Sequence, residues 1–514
     1  MEELNFNNEK EQGASLLRLT TDTVTAHEVS EEFSLPDYVP EIRKLLHTRA
    51  GVLPESKLIG DSGEGSVVDF SGTVTYLLIY TDDEGKLCSL PLTSSYEAEA
   101  PVLGNPSTVS IDTWVDTVTP RVNAPRKITI KSRLKSRVQG WESIREAEKI
   151  ENKSTADELF IERDEREIKS VSLLPIARDG IKLSDRLELQ GYESISPIWC
   201  DAMAVIKDVR VQNSSVSVRG EANIKCICDA KGEMVTLTKS VPIAEEISVS
   251  GALSGDMVWA RARCVSLAIS NEENGGESQL FFDLDCEIEG ELLRNADVTL
   301  TRDCYSTKYE TEEAYKTVDV YKGIKAQNSS FTINEGVKRK SKEMTRIIDV
   351  LWDPVCEKSE FKGGRAMLSG KLNVVLIGEG TAKENEEAEY ISESYELPFK
   401  YACDVGNVQE PISKWNVTVK DVRPELDGDK IHISAEVFVA LSVVDKERIR
   451  VLDSSVLKKD REIKKDAGCV RVYFPREGDT LWEIAKKYHV TMQALREQNS
   501  LSDDELKSAK NLII

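Results

Sequence analysis

Three groups of residues in this 514-residue sequence could do chemistry: a serine in a glycine-rich segment, four histidines and ten cysteines. Ser62, within Gly60-Asp61-Ser62-Gly63, could act as a nucleophile. Nucleophilic catalysis by serine also needs a positioned histidine and aspartate on a matching scaffold. The surrounding sequence, LIGDSGEGSVV, favours a turn before a strand. We therefore interpret this motif as structural.

The histidines show no acid–base or metal-binding spacing; they are His27, His47, His432 and His489. The sequence also contains no Walker A loop, no HExxH motif and no GxGxxG between a strand and a helix. We therefore expect no enzyme activity, no metal and no cofactor. An active site assembled across domains from unremarkable residues stays open as another class of function.

The cysteines are scattered, and the close pair among them is Cys226-Ile227-Cys228. Zinc sites use paired C-x2-C or Cys/His spacings, which this C-x-C does not supply. In a strand, the period of two would place both thiols on one face. We interpret them as small buried apolar residues, and we expect a reducing compartment because the start, MEELNFNNEKEQG, lacks a secretory pattern.

The net charge of the chain limits the kinds of partner that it is expected to bind. The chain has 67 Lys plus Arg and 90 Asp plus Glu, a formal net charge of −23. This excess repels nucleic acid and anionic membrane surfaces. No apolar run approaches the roughly 18 residues that a membrane-spanning helix needs. We therefore expect no nucleic-acid partner and no transmembrane segment.

A long-period repeat organises most of the chain. Gly72, Gly220 and Gly370 each open an alternating, β-branched run, and they are separated by 148 and 150 residues. Each run is followed by a polar turn and a second extended segment, which predicts a hairpin three times. A tryptophan marker at similar spacing, which we interpret as a core anchor, is followed each time by another strand; its members are Trp114, Trp259 and Trp415.

These repeats predict a mainly β protein with three tandem sandwich- or barrel-like modules and a smaller α+β domain at the end. Charged stretches at 143–169 and 453–468 are interpreted as solvated helix faces or linkers. The predicted segments are an N-terminal tail at 1–16, modules at 17–165, 166–322 and 323–465, and a C-terminal domain at 466–514.

The C-terminal segment has the pattern strand, helix, helix, strand. Thr480 and Glu483 form a predicted capping box at the first helix, and the second helix is predicted to begin at Thr491. Asn499 suits a helix C-terminus because asparagine tolerates the left-handed conformation. Leu512 begins a final short strand.

This segment resembles a LysM domain, most clearly in GDTLWEIAKKYHV and the asparagine that follows. The resemblance implies a groove between two loops that binds N-acetyl groups of peptidoglycan or chitin, or a protein partner. Thr480 and Asn499 could instead serve only as helix caps. The candidate partner- or carbohydrate-binding residues are Gly478, Asp479, Thr480, Leu481, Asn499, Ser500, Leu501 and Ser502.

The arrangement of three hairpin modules and a terminal LysM-like domain also resembles the SPOCS-repeat proteins of anaerobic spore formers, including YSTKYETEEAYKTV at 305–318. That resemblance implies a non-enzymatic scaffold of spore coat assembly, located in the mother-cell cytoplasm at the forespore surface. It also implies a partner, a coat morphogenetic ATPase of the SpoIVA type. The alternative is a cell-wall protein that binds peptidoglycan or another N-acetylglucosamine polymer.

Overall fold

A computed structural model describes residues 16–61, 66–144, 160–187, 195–274, 277–341, 343–381, 389–464, 470–501 and 511–514. The predicted N-terminal tail therefore lies, except for Leu16, outside the described residues, as does Ser62 of the glycine-rich motif. Within the described residues, no helix is both long and apolar enough to cross a membrane.

In the described part of residues 16–462, eighteen long strands form three sets of six. The first set is Leu16–Ser34 (β1), Lys44–Asp61 (β2), Ser66–Thr81 (β3), Leu87–Val102 (β4), Thr108–Ala124 (β5) and Lys127–Ile144 (β6). The second is Ile161–Leu187 (β7), Ser196–Gln212 (β8), Ser215–Ala230 (β9), Glu233–Ser248 (β10), Met257–Asn274 (β11) and Glu277–Ser306 (β12). The third is Tyr309–Lys338 (β13), Arg346–Lys362 (β14), Arg365–Glu379 (β15), Tyr390–Asp404 (β16), Glu410–Asp427 (β17) and Lys430–Glu462 (β18).

All three sets have the same topology. The second, third and fourth strands form one antiparallel sheet, as in β2-β3-β4, and the sixth strand lies between the first and fifth in another, as in β1-β6-β5. The predicted hairpins are confirmed as β3–β4, β9–β10 and β15–β16. The mainly β prediction is therefore confirmed, and one six-stranded unit occurs three times.

Each unit is a sandwich whose two sheets share one apolar core. In the second unit, Ile181 and Phe282 from one sheet lie in the same buried cluster as Ile206 and Ile224 from the other. Buried residues alternate with half-buried ones along much of β9, and this alternation supplies inward side chains such as Ile224. The first and third units have equivalent clusters.

The three sandwiches meet at a shared apolar junction. Ile79, Ile227 and Ile377 occupy equivalent positions of β3, β9 and β15, and all three are fully buried in one cluster. Asp349 of the third unit accepts hydrogen bonds from Lys225 Nζ at 2.5 Å and Trp199 Nε1 at 3.0 Å, both of the second unit. The units therefore form one continuous body.

The repeated glycines have a shared steric cause. A Cβ atom at Gly72, Gly220 or Gly370 would lie 2.5, 2.1 or 2.2 Å from a backbone carbonyl oxygen of the neighbouring strand. In each unit that neighbouring strand has a register shift next to the contact. The bulge presses the carbonyl against the glycine, and only a residue without a side chain fits there.

Gly220→Ala should therefore destabilise the chain by about 1–3 kcal/mol, because the new methyl group must push the β8 backbone away. Chemical denaturation followed by circular dichroism measures this loss. Gly180→Ala is the matched control, since a Cβ at Gly180 in β7 meets nothing within 4 Å. Equal stability of the two variants would refute the steric explanation.

The tryptophan marker has a mixed outcome. Trp259 is 2% exposed and is a core residue as predicted, and Trp415 lies at the equivalent position of the third unit, opposite Leu441. Trp114 is 39% exposed, so its interpretation as a core anchor is wrong. In the first unit, the position equivalent to Trp259 is held by Thr108. Thr108 lies opposite Trp141, as Trp259 lies opposite Glu291. The similar spacing of Trp114 does not reflect equivalent pairing.

The charged stretches also differ from their interpretation. Where they are described, 161–169 belongs to β7 and 453–462 belongs to β18. These described segments are parts of strands, so they are neither helices nor linkers. The boundaries placed at 165/166 and 322/323 fall inside β7 and β13.

One cysteine prediction needs correction as well. Cys226 and Cys228 are fully buried, as expected for apolar positions. Cys226, however, forms a disulfide with Cys200 on the neighbouring strand β8. The sequence does not reveal this pair, because Cys200 and Cys226 are brought together by the pairing of β8 with β9 and do not belong to one local motif.

The C-terminal domain has the predicted order of elements. They are Val472–Tyr473 (β19), Leu481–Tyr488 (α1), Met492–Asn499 (α2) and Leu512–Ile513 (β20). β19 and β20 pair antiparallel. Leu481, Ile484, Ala485, Leu495 and Leu512 form the buried core that the helical spacing predicts.

Candidate functional site

The first candidate loop enters helix α1. Gly478 has a backbone φ of 97°, a left-handed conformation that favours glycine. The Thr480 side chain accepts a hydrogen bond from the Glu483 backbone NH, and the Glu483 carboxylate accepts one from the Thr480 NH, both at 3.2 Å. The predicted capping box is therefore present, and it fixes the loop conformation.

Asp479 ties this loop to strand β19. Its carboxylate accepts hydrogen bonds from the Tyr473 hydroxyl at 2.7 Å and the Arg476 backbone NH at 2.8 Å. The bond from the Arg476 NH, followed by that from Tyr473, lowers the pKa of Asp479. This carboxylate is engaged in holding the turn.

The second candidate loop leaves helix α2. Asn499 Nδ2 donates to the carbonyl oxygens of Leu495 at 2.9 Å and Ile513 at 2.8 Å, and Asn499 Oδ1 accepts from the Ile513 NH at 2.6 Å. Asn499 therefore clamps β20 to α2. Ser500 follows in the left-handed conformation with φ of 53° and ends the helix.

The structure separates the candidate residues by role. The side chains of Asp479, Thr480 and Asn499 are used for caps and clamps, and Leu481 is 1% exposed in the core. Leu501 packs against the same core, whereas Gly478, Thr480 and Ser500 are exposed. Ser502 lies outside the described residues. A ligand at these loops would meet mainly exposed backbone groups and small polar side chains.

The C-terminal domain is packed against the three-unit body. Tyr305, at the end of β12, is fully buried within the core of the C-terminal domain. Its hydroxyl donates to the Val490 carbonyl at 2.7 Å, and its ring lies edge-on to Trp482 with centroids 5.0 Å apart. An aromatic side chain of the body therefore completes the small domain.

A polar network surrounds this contact. Asp303 accepts hydrogen bonds from Trp482 Nε1 at 2.9 Å, Lys486 Nζ at 2.6 Å and the Tyr315 hydroxyl at 2.6 Å. Burial opposes ionisation of Asp303, but these bonds, led by that from Lys486, give it a lowered pKa. His489 Nδ1 lies 3.1 Å from the Ser306 carbonyl. Asp303 is thus a charged anchor for one face of α1.

Sequence reasoning missed this contact, although two features pointed to it. Trp482, Lys486 and His489 follow i, i+4, i+7 spacing, which places them on one face of α1 and its C-terminal extension. The stretch 305–318, chosen for its family resemblance, supplies Tyr305 and Tyr315. Together with Asp303 they form the docking surface of the body, which contacts the C-terminal domain. An apolar and cationic helix face beside a tyrosine-rich acidic strand favours packing between them.

Among the described residues, no group of three or more His, Cys, Asp or Glu side chains is placed to hold a metal ion. The loops and the docked helix face are therefore the site's main features.

Comparisons with known proteins cover only this domain. No curated protein matches the chain, and no solved structure matches it. The family model described as the LysM domain matches residues 476–514. That range contains both capped helices, both candidate loops and the closing strand β20, so residues 476–514 are the LysM domain of this chain.

Proposed function

We propose that this chain is a non-enzymatic scaffold whose LysM domain binds N-acetylglucosamine polymers of the peptidoglycan type. The observation that carries the proposal is the LysM match over a segment in which the loop residues Gly478, Thr480 and Ser500 stay exposed while α1 contacts the body. The family match suggests this class of ligand. Docking through Trp482 and Lys486 would hold the loops in a fixed orientation on a large acidic body.

Ligand contacts would come chiefly from the loop backbone. The Gly478 and Ser500 positions lack bulky side chains and are exposed, so a sugar can approach the main chain there. Engagement of Asp479 and Asn499 inside the domain preorganises both loops, which lowers the entropy lost on binding.

A second proposal is the spore coat scaffold, in which the same loops dock a coat morphogenetic ATPase of the SpoIVA type in the mother-cell cytoplasm. The chain would then be a counterpart of the coat morphogenetic protein SipL. The observation that favours it is that the side chains of Asp479, Thr480 and Asn499 are already used as caps and clamps. Fewer side-chain groups are then left to grip a sugar.

One experiment separates the two. The full chain and its Leu481→Asp variant are sedimented with insoluble peptidoglycan and are also used to capture the purified coat ATPase. Leu481 is buried in the domain core, so an aspartate there should unfold the LysM domain and abolish binding to its ligand. Leu481→Met is the matched control, because it conserves volume and should keep binding.

Retention of the full chain on peptidoglycan, lost in Leu481→Asp only, supports the polymer-binding proposal. Capture of the ATPase without retention on peptidoglycan supports the coat scaffold. Binding that survives Leu481→Asp would place the binding surface outside the LysM loops and would overturn both.

A further inference from the structure

Four cysteines of the second unit form two directly opposed pairs. Cys200 on β8 lies opposite Cys226 on β9, and Cys264 on β11 lies opposite Cys286 on β12. One pair belongs to each sheet of the same sandwich. The first pair is a disulfide, whereas the second consists of free thiols.

The free pair has the geometry to close. Directly opposed residues of antiparallel strands have Cα atoms about 4.5–5.5 Å apart, within the range of about 4.4–6.8 Å that a disulfide spans. The sulfur atoms of Cys264 and Cys286 are 3.8 Å apart. Bond formation needs them to approach to about 2.05 Å, a shift that side-chain rotation can supply.

The two thiols differ in access and in acidity. Cys264 is half-buried and lies on β11, at the edge of its three-stranded sheet, whereas Cys286 is buried on the central strand. The hydrogen bond between the thiols lowers the pKa of Cys286 and raises that of Cys264. Cys264 is therefore the more accessible sulfur, and Cys286 forms the thiolate more readily.

The shared fold does not require a cysteine at the position of Cys226. Leu78 and Leu376 take the place of Cys226 in the other units, at the same separations of 148 and 150 residues as the repeated glycines. Leucine fills the core position equally well there. At this core position, the cysteine is thus a property of the second unit alone.

We propose that Cys264 and Cys286 are an oxidation site that forms a second, reversible cross-strand disulfide by exchange with a low-molecular-weight disulfide. In the first step Cys264, the more accessible sulfur, attacks the small disulfide through the small fraction of it that is ionised, forms a mixed disulfide and releases one small thiol. In the second step the Cys286 thiolate attacks the Cys264 sulfur, forms the cross-strand bond and releases the other small thiol. The two protons lost by the cysteines go to the two released thiolates.

After oxidation, each of the two sheets of the second unit would contain one covalent bond between neighbouring strands. Because a disulfide restricts the unfolded chain, the oxidised full-length protein should have a higher thermal midpoint than the form lacking the second bond. The thiol form and the disulfide form would be two stability states of the same scaffold.

The test uses the full chain, first fully reduced and then incubated under native conditions with oxidised glutathione. Remaining thiols are alkylated after denaturation, and the protein is digested with trypsin. The sequence has no lysine or arginine between Cys264 and Arg294, so one tryptic peptide holds both cysteines. The expected result is loss of alkylation at both and a peptide lighter by two hydrogen atoms.

Single substitutions distinguish the first exchange step, at Cys264, from the second, at Cys286. Cys286→Ser should trap glutathione on Cys264, because the second thiolate is missing. Its thermal midpoint should rise only by the share that the Cys200–Cys226 bond contributes, and therefore less than that of the unsubstituted chain. Cys356→Ser, which removes an exposed cysteine of the third unit, is the matched control and should change neither result.

Full alkylation of Cys264 and Cys286 after native oxidation would overturn the proposal. So would glutathione that stays on Cys264 in the unsubstituted chain, because the neighbouring thiol then fails to complete the exchange. Formation of the peptide disulfide only in denaturant would overturn it too.

Discussion

Asp349→Ala should lower the free energy of unfolding by about 3–5 kcal/mol, the cost of leaving a buried charge without its partner. The Asp349 side chain is 2% exposed, and it receives hydrogen bonds from Lys225 and from Trp199 at the junction of the units. Alanine leaves the Lys225 ammonium and the Trp199 NH without this acceptor. Denaturant unfolding monitored by tryptophan fluorescence measures the loss.

Glu396→Ala is the matched control for that variant. Glu396 pairs with Lys371 at 3.0 Å, but its side chain is 66% exposed, so this pair should contribute less than about 1 kcal/mol. Removing both charges of the buried pair, with Asp349→Leu and Lys225→Met together, should recover much of the stability. Similar losses for Asp349→Ala and Glu396→Ala would contradict the importance of the junction.

Tyr305→Ala should release the LysM domain from the body and should cost about 3–5 kcal/mol of stability in that domain. Tyr305 is fully buried among LysM core residues, and it also supplies the hydroxyl that bonds Val490. Truncation removes the aromatic contact with Trp482 and opens a cavity at the domain boundary. Hydrogen exchange across residues 481–499 should become faster.

Tyr38→Ala provides the comparison for Tyr305→Ala, because Tyr38 is 89% exposed and its loss should leave stability unchanged. The β sheets should keep their exchange protection in both variants. Unchanged exchange of α1 and α2 in Tyr305→Ala would mean that the LysM domain is stable without the body, and the docking surface would then be incidental.

Patterns with short-range causes were predictable from the sequence. The hairpins β3–β4, β9–β10 and β15–β16 follow from period-two alternation and polar segments between the strands. The capping box of Thr480 and Glu483 also depends on residues three apart. The glycine period was visible as well, although its steric cause, a bulge in the neighbouring strand, was not.

The tryptophan spacing shows where prediction of equivalent core positions from the sequence fails. Trp259 and Trp415 occupy equivalent paired positions, but Trp114 does not, because it lies further along β5 than Thr108, the residue at the equivalent position. Spacing along the chain therefore reports similarity only when the paired position is also the same. A change of position along a strand changes which side chains reach the core.

By itself, the sequence determined the alternating strands of the hairpins, the capped helices and the segment that forms the LysM domain, since each depends on neighbouring residues. Only the tertiary structure decided the pairing of first and sixth strands, the opposition of Cys200 to Cys226 and the burial of Tyr305 beneath Trp482. These contacts join residues between 26 and about 180 positions apart. Their register is set by how whole sheets bury their apolar faces, and no local pattern of residue types records that outcome.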